Sequence, residues 1–164
     1  MGDFIFIKKM QEENIKNQTG RNNKSQTTIE IESVFESWNK LKQEIDKRKI
    51  FKNYCNQEIW WCSMGKNVGS EEDGKNNNFE RPVLILKRWN SEFFIGLPFT
   101  TKKNIQENSS KYYYEFNLNN IEKGYIMLSQ IRTFSSKRLI RKIKKLSDNE
   151  FMNVNNKLRE ILFD

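Results

Sequence analysis

Arg81 stands immediately before the apolar run Pro82-Val83-Leu84-Ile85-Leu86, and Thr100-Thr101 follows a second run, Phe93-Phe94-Ile95-Gly96-Leu97, after Pro98. Arginine at such a point is either one half of a rim salt bridge or a permanently charged, five-donor fork aimed into a cleft. Adjacent threonine hydroxyls at a strand end are either turn formers or groups turned toward that cleft. Ser129-Gln130-Ile131-Arg132-Thr133 follows Tyr125-Ile126-Met127-Leu128 and makes a third polar strand end. Antiparallel connectivity would bring all three to one rim. Between the first two strands, Val68 to Asn78 holds Gly69, Ser70, Glu71, Glu72, Asp73 and Gly74 with no large apolar side chain after Val68. This stretch reads either as a solvated turn or as a mobile functional loop on a rigid scaffold. It is not a phosphate-binding P-loop, because the Gly-Lys-Ser/Thr ending is missing.

Composition narrows the chemistry. The 164 residues contain no histidine, which removes Ser-His-Asp and Cys-His nucleophiles, His-ligated zinc and the usual general base. Two cysteines, Cys55 and Cys62, make neither a disulfide framework nor a four-cysteine metal site, and are expected as reduced thiols packed like small hydrophobes. No metal site and no cofactor are expected. The net charge of +8 points to an anionic partner. Lys137, Arg138, Arg141, Lys142, Lys144 and Lys145 are six cations within nine residues, interleaved with Leu139, Ile140, Ile143 and Leu146, so one face can dock while the other stays basic. No run approaches a membrane span, the opening MGDFIFIKKM is no signal peptide, and Phe6 stands where a myristoylation signal wants Ser or Thr. The chain reads as cytoplasmic.

The elements that must carry these residues are short. Gln11 to Gln26 has linker composition. Ile31, Val34, Phe35, Trp38, Leu41 and Ile45 then form an apolar stripe on a helix over 28–49, with Thr28 at its N-cap. Strands are predicted at 59–62, 82–86, 93–97, 112–116 and 125–128, joined by Gly-, Asn- and Ser-bearing turns that favour an antiparallel meander curling into a small barrel. Ser147 and Glu150 form a capping box ahead of a closing helix with Phe151, Val154, Leu158, Ile161 and Leu162 on one face. Residues 1–56 read as an extension and 57–164 as the main domain.

Read in order, Glu58-Ile59-Trp60-Trp61, Gly69-Ser70-Glu71, Arg81-Pro82-Val83-Leu84-Ile85, Pro98-Phe99-Thr100-Thr101 and Leu128-Ser129-Gln130-Ile131-Arg132-Thr133 resemble the MazF/PemK family of toxin endoribonucleases. The resemblance implies an α+β, mainly β fold: an SH3-like small barrel of about five to seven antiparallel strands with a C-terminal helix. It implies metal-independent, sequence-specific cleavage of single-stranded RNA, usually mRNA. The ribose 2′-hydroxyl attacks the neighbouring phosphate and leaves a 2′,3′-cyclic phosphate and a 5′-hydroxyl, which stops translation and growth. Arg81 and Thr100 match the catalytic positions. Ser70, Glu71, Thr101, Lys102 and Gln130 match RNA-contacting positions, and Lys137, Arg138, Arg141, Lys144 and Lys145 would add a basic surface. A homodimer, a cognate antitoxin and operator DNA reached through the antitoxin complex are the implied partners.

Two departures stand out. Glu72 to Glu80 lengthens a link that is commonly short in the family, and Ser129 stands where several relatives carry an acid. The general base is therefore left open. A non-catalytic nucleic-acid- or protein-binding module on the same barrel is the competing expectation.

Overall fold

The computed structural model describes residues 30–49, 51–101, 111–117 and 123–163. Thr28, Lys102 and the linker Gln11 to Gln26 lie outside the described residues. The chain divides into two compact units, with the boundary between Lys40 and Leu41.

Helix α1 covers residues 30–46. Along its predicted stripe, Ile31, Val34 and Phe35 are exposed, whereas Trp38 and Ile45 are buried. Seven strands follow: β1 Glu58–Ser63, β2 Glu80–Arg88, β3 Phe93–Thr100, β4 Tyr113–Asn117, β5 Lys123–Met127, β6 Arg132–Ser135 and β7 Leu139–Lys145. Helix α2, Asp148–Phe163, closes the chain. The mainly β architecture with a helix at each end is the expected one. The five predicted strands form, and β6 and β7 are additional.

All pairings are antiparallel, in the order β4-β5-β3-β2-β1-β7, with β6 also on β3. Strand β3 joins the two parts of the sheet. Its first half pairs β6 from Phe93 to Gly96, and its end pairs β5 at Phe99 and Thr100. Gly96 permits the crowding there, because a Cβ would lie 2.6 Å from Val83 Cγ1.

Strand β2 is buried on both faces, which explains its unbroken apolar run. Leu84 and Leu86 join a core with Ile59, Leu97, Phe99 and the α2 residues Val154 and Leu158. Val83 and Ile85 face a second core with Tyr54, Trp60, Phe94 and Phe134. In that core Phe94 stacks on Phe134 at 5.5 Å, and the Tyr54 ring tilts against Phe94 at 5.3 Å.

The capping box forms as expected. The Ser147 N–H and hydroxyl donate to Glu150 Oε2 at 2.8 and 2.7 Å, and the Glu150 N–H donates to Ser147 Oγ at 3.3 Å. Cys62 is buried, and burial pushes its thiol up to about 12. Cys55 departs from expectation: it is exposed, because it lies in the irregular segment before β1 rather than on an inward-facing strand position. No helix among the described residues is long and apolar enough to cross a membrane.

Candidate active site

The sheet register brings the two main chemical candidates together. Val83 pairs with Pro98, and two residues further on stand Arg81 at the start of β2 and Thr100 at the end of β3. Both are buried, Arg81 to 5 % exposure and Thr100 to 7 %. The Arg81 fork is clamped at all three nitrogens. Nε donates to the Asp73 carbonyl at 2.7 Å, Nη1 donates to the Phe99 carbonyl at 2.9 Å, and Nη2 pairs with the Glu72 carboxylate. The Phe99 contact sets the guanidinium beside Thr100. The ion-pair expectation for Arg81 thus holds, with the fork buried and its nitrogens engaged within the chain. Burial pulls the Arg81 guanidinium below its usual range, and the Glu72 and Asp73 carboxylates oppose that pull without cancelling it.

The β1–β2 loop is hydrogen-bonded into this site. Asp73 accepts from the Asn67 N–H at 2.6 Å and pairs with Lys66, while Asn67 Nδ2 donates to the Glu72 carbonyl at 2.8 Å. Gly74 lies so close to Phe79 that a Cβ would meet its carbonyl oxygen at 1.9 Å. Beyond it, Lys75 and Glu80 exchange backbone hydrogen bonds of 2.9 Å in both directions, closing Asn76–Phe79 as a small turn. Asn76 and Phe79 there have φ of 56° and 52°.

Several expected RNA-contacting residues gather around the loop. Gln130 Nε2 donates to the Ser70 carbonyl at 3.1 Å, and its Oε1 accepts from the Glu72 N–H at 3.2 Å. Thr101 Oγ1 accepts from Lys75 Nζ at 3.1 Å. Glu71 and Ser129 are exposed. Glu72, Asp73 and Lys75 were not among the expected site residues. The signal for them was the acidic insertion directly after Gly-Ser-Glu, read only as a family departure.

The cations of the basic run make several separate contacts, while Arg141, Lys142 and Lys145 stay exposed. Arg138 Nη1 donates to the Ser63 and Met64 carbonyls at 2.9 and 3.2 Å. Arg141 pairs with Glu80 at 3.4 Å and lies over the Trp61 ring at 4.8 Å. Lys142 pairs with Glu58 at 2.5 Å, and Lys144 lies over the Phe116 ring at 4.7 Å. Lys145 is exposed. The cause is β7 itself, which lies against β1 and so brings these cations within reach of Glu58, Glu80 and Trp61.

These features define a small, mainly β domain with a buried arginine and threonine at one sheet rim. Residues 56–162 match the family of PemK-like, MazF-like toxins of type II toxin-antitoxin systems, and the chain belongs to that family. Among solved structures, MazF from Deinococcus radiodurans in crystal form I is 16 % identical, with a TM-score of 0.53. The match covers 70 % of this chain and 98 % of that one. A MazE-MazF structure from the same organism (form II) is 14 % identical at a TM-score of 0.48, covering 68 % and 97 % of the two chains. A mycobacterial endoribonuclease in complex with its cognate antitoxin is 13 % identical at 0.48, covering 67 % and 95 %. Comparison with curated protein sequences gave no match.

Proposed function

We propose that this chain is the toxin of a type II toxin-antitoxin pair and acts as a sequence-specific, metal-independent endoribonuclease on single-stranded RNA. The observation that carries this reading is the pairing of a buried Arg81 fork with Thr100 at one rim. RNA supplies its own nucleophile, so the protein need only align it and stabilise the charge that develops on phosphorus. The 2′-oxygen forms a bond to phosphorus, the bond from phosphorus to the 5′-oxygen breaks, and the products are a 2′,3′-cyclic phosphate and a 5′-hydroxyl. The proton leaves the 2′-hydroxyl for a base that stays unassigned, and the departing 5′-oxygen takes one up.

Arg81 stabilises the nonbridging oxygens and is the candidate proton donor, helped by the burial that lowers its hold on the proton. The Thr100 hydroxyl supplies a further hydrogen bond. Because Glu72 occupies one edge of the Arg81 fork, the scissile phosphate must take the place of that carboxylate. Ser70, Glu71 and Gln130 read base edges, and Thr101 and Lys102 hold the strand. The working enzyme is a cytoplasmic homodimer silenced by its antitoxin, and the antitoxin complex carries it to operator DNA. Residues 57–164 form the catalytic domain and 1–56 the extension.

One observation favours a second reading, a non-catalytic binding module: every Arg81 nitrogen is already satisfied within the chain. Incubating the full chain with a long single-stranded RNA in EDTA separates the two. New 5′-hydroxyl ends at fixed sequences support the nuclease. Intact RNA in both EDTA and magnesium overturns it.

A further inference from the structure

Arg48, Lys49 and Lys52, from the stretch after α1, meet Lys137 around a cleft of about 450 Å³ walled by Leu139 and Ile140. Two contacts fasten these segments to each other. Arg48 Nη1 donates to the Lys137 carbonyl at 2.8 Å, and Lys137 Nζ donates to the Asp46 carbonyl at 2.6 Å. Backbone carbonyls fix the direction of a cation without cancelling its charge. Arg141 and Lys142 differ, since each meets a carboxylate. At the cleft the paired acid is Asp46, 3.6 Å from Lys137 with its side chain 87 % exposed, where solvent screens it. Four cations therefore face one weakly coupled carboxylate.

The position of the cleft selects its ligand. Leu139, Cys62 and Arg81 occupy one row across β7, β1 and β2. Two strand spacings separate the ends of the row by roughly 10 Å along the backbone. Cys62 and Leu139 turn inward to the second core, so the path between the two sites runs outside that core. An RNA strand engaged at Arg81 has a neighbouring segment within reach of the cleft. Beside the cations the lining is Ser136, Leu139 and Ile140, with no aromatic ring among these residues to stack a base, so the match is to the phosphate backbone.

We propose that this cleft is a phosphate-binding subsite through which the residues preceding the family domain hold the RNA strand next to the Arg81–Thr100 site. The proposal rests on the RNA reading above. It adds residues that lie outside the matched span 56–162.

The test uses the full chain and a mixed-sequence 20-nucleotide RNA with 2′-O-methyl riboses, read by fluorescence anisotropy across a salt series. The variant is Lys49→Gln with Lys52→Gln; both lysines are exposed and make no hydrogen bond or ion pair among the described residues. Single-strand affinity falls with salt at a slope of about −0.7 per phosphate neutralised. The double variant should make the slope shallower by about 1.4, with cut sites on unmodified RNA unchanged. A control, Lys87→Gln with Lys157→Gln, removes the same charge elsewhere and should leave the slope near that of the unsubstituted chain. Equal loss in the control overturns the subsite, as does an unchanged slope in the cleft variant. If the variant keeps RNA binding but loses an alternating Glu-Leu peptide that the unsubstituted chain binds, the cleft serves an acidic protein segment, and the proposal is overturned. If the unsubstituted chain neither binds nor cleaves RNA, the nuclease reading itself has failed.

Discussion

Replacing Glu72 with Gln tests the contact that caps the candidate active site. The carboxylate pairs with Arg81 Nη2, with the two side chains 27 % and 5 % exposed. Glutamine keeps the shape and a hydrogen-bond acceptor but removes the charge. A hydrogen bond to a charged group contributes roughly 1.5–3 kcal/mol net, and glutamine retains part of it. The charge-dependent part is then about 1–2 kcal/mol, which the incoming phosphate no longer has to displace. KM for RNA should fall roughly 5–30-fold, with kcat near its original value. Steady-state cleavage of a short RNA spanning one mapped site gives both constants. Losing the carboxylate also removes one of the two charges that raise the Arg81 pKa, so the guanidinium becomes a somewhat better acid. A hundredfold fall in kcat at constant KM would refute the capping argument and assign Glu72 to proton transfer.

Arg81→Ala should abolish cleavage and also destabilise the fold by about 3–5 kcal/mol, because it strands a carboxylate and two carbonyls; thermal melts read the second effect. Thr100→Ala should lower kcat by roughly 10²–10³, as expected for loss of one donor to a developing oxyanion, in protein that still melts cooperatively. Cleavage in EDTA should match that in magnesium, and a 2′-methoxy at the cut site should stop it; complete dependence on a divalent ion contradicts the mechanism. Burial pushes the Glu58 carboxyl up, but donors from Lys142, the Cys55 N–H and the Trp60 indole more than offset this and leave it lowered. Its contribution is therefore present above the ordinary glutamate range and is lost as pH falls through the lowered value. Urea melts of Glu58→Gln should show a smaller stability loss on acidification than those of the unsubstituted chain.

Legibility in the sequence followed periodicity and local chemistry. The apolar run of β2 and the capping box at Ser147 follow from short-range patterns. The meeting of Arg81 with Thr100 is instead set by the β2–β3 register, for which the sequence offers antiparallel connectivity but no pairing. Strand β7 was not legible, because Leu139-Ile140-Arg141-Lys142-Ile143-Lys144-Lys145 has cations at positions where alternation would place apolar groups. Its register on β1 shifts at Ile59/Trp60 and Trp61/Cys62, and those irregularities break the period that a sequence pattern needs. The Glu72 contact was hidden for another reason. It depends on how a long loop folds back across the sheet rim, and no spacing rule encodes that path.

The Lys75–Glu80 bridge gives the β1–β2 connection a modular layout. The loop residues that hold the arginine, Glu72 and Asp73, lie on the near side of that closed pair of hydrogen bonds, and Asn76 to Phe79 lie beyond it. A chain built this way can vary the exposed tip without re-indexing the Arg81 rim as long as Phe79 is kept, because the Phe79 carbonyl accepts from the Met64 N–H at 2.8 Å and the residue packs against Gly74. Within the lengthened Glu72 to Glu80 link, Glu72 and Asp73 thus serve the arginine, and only the exposed tip residues Asn76 to Asn78 behave as an appendix to the site. They form a location where new sequence can be trialled, or a reporter peptide grafted, while the alignment of Arg81 against Thr100 stays under the control of β2 and β3.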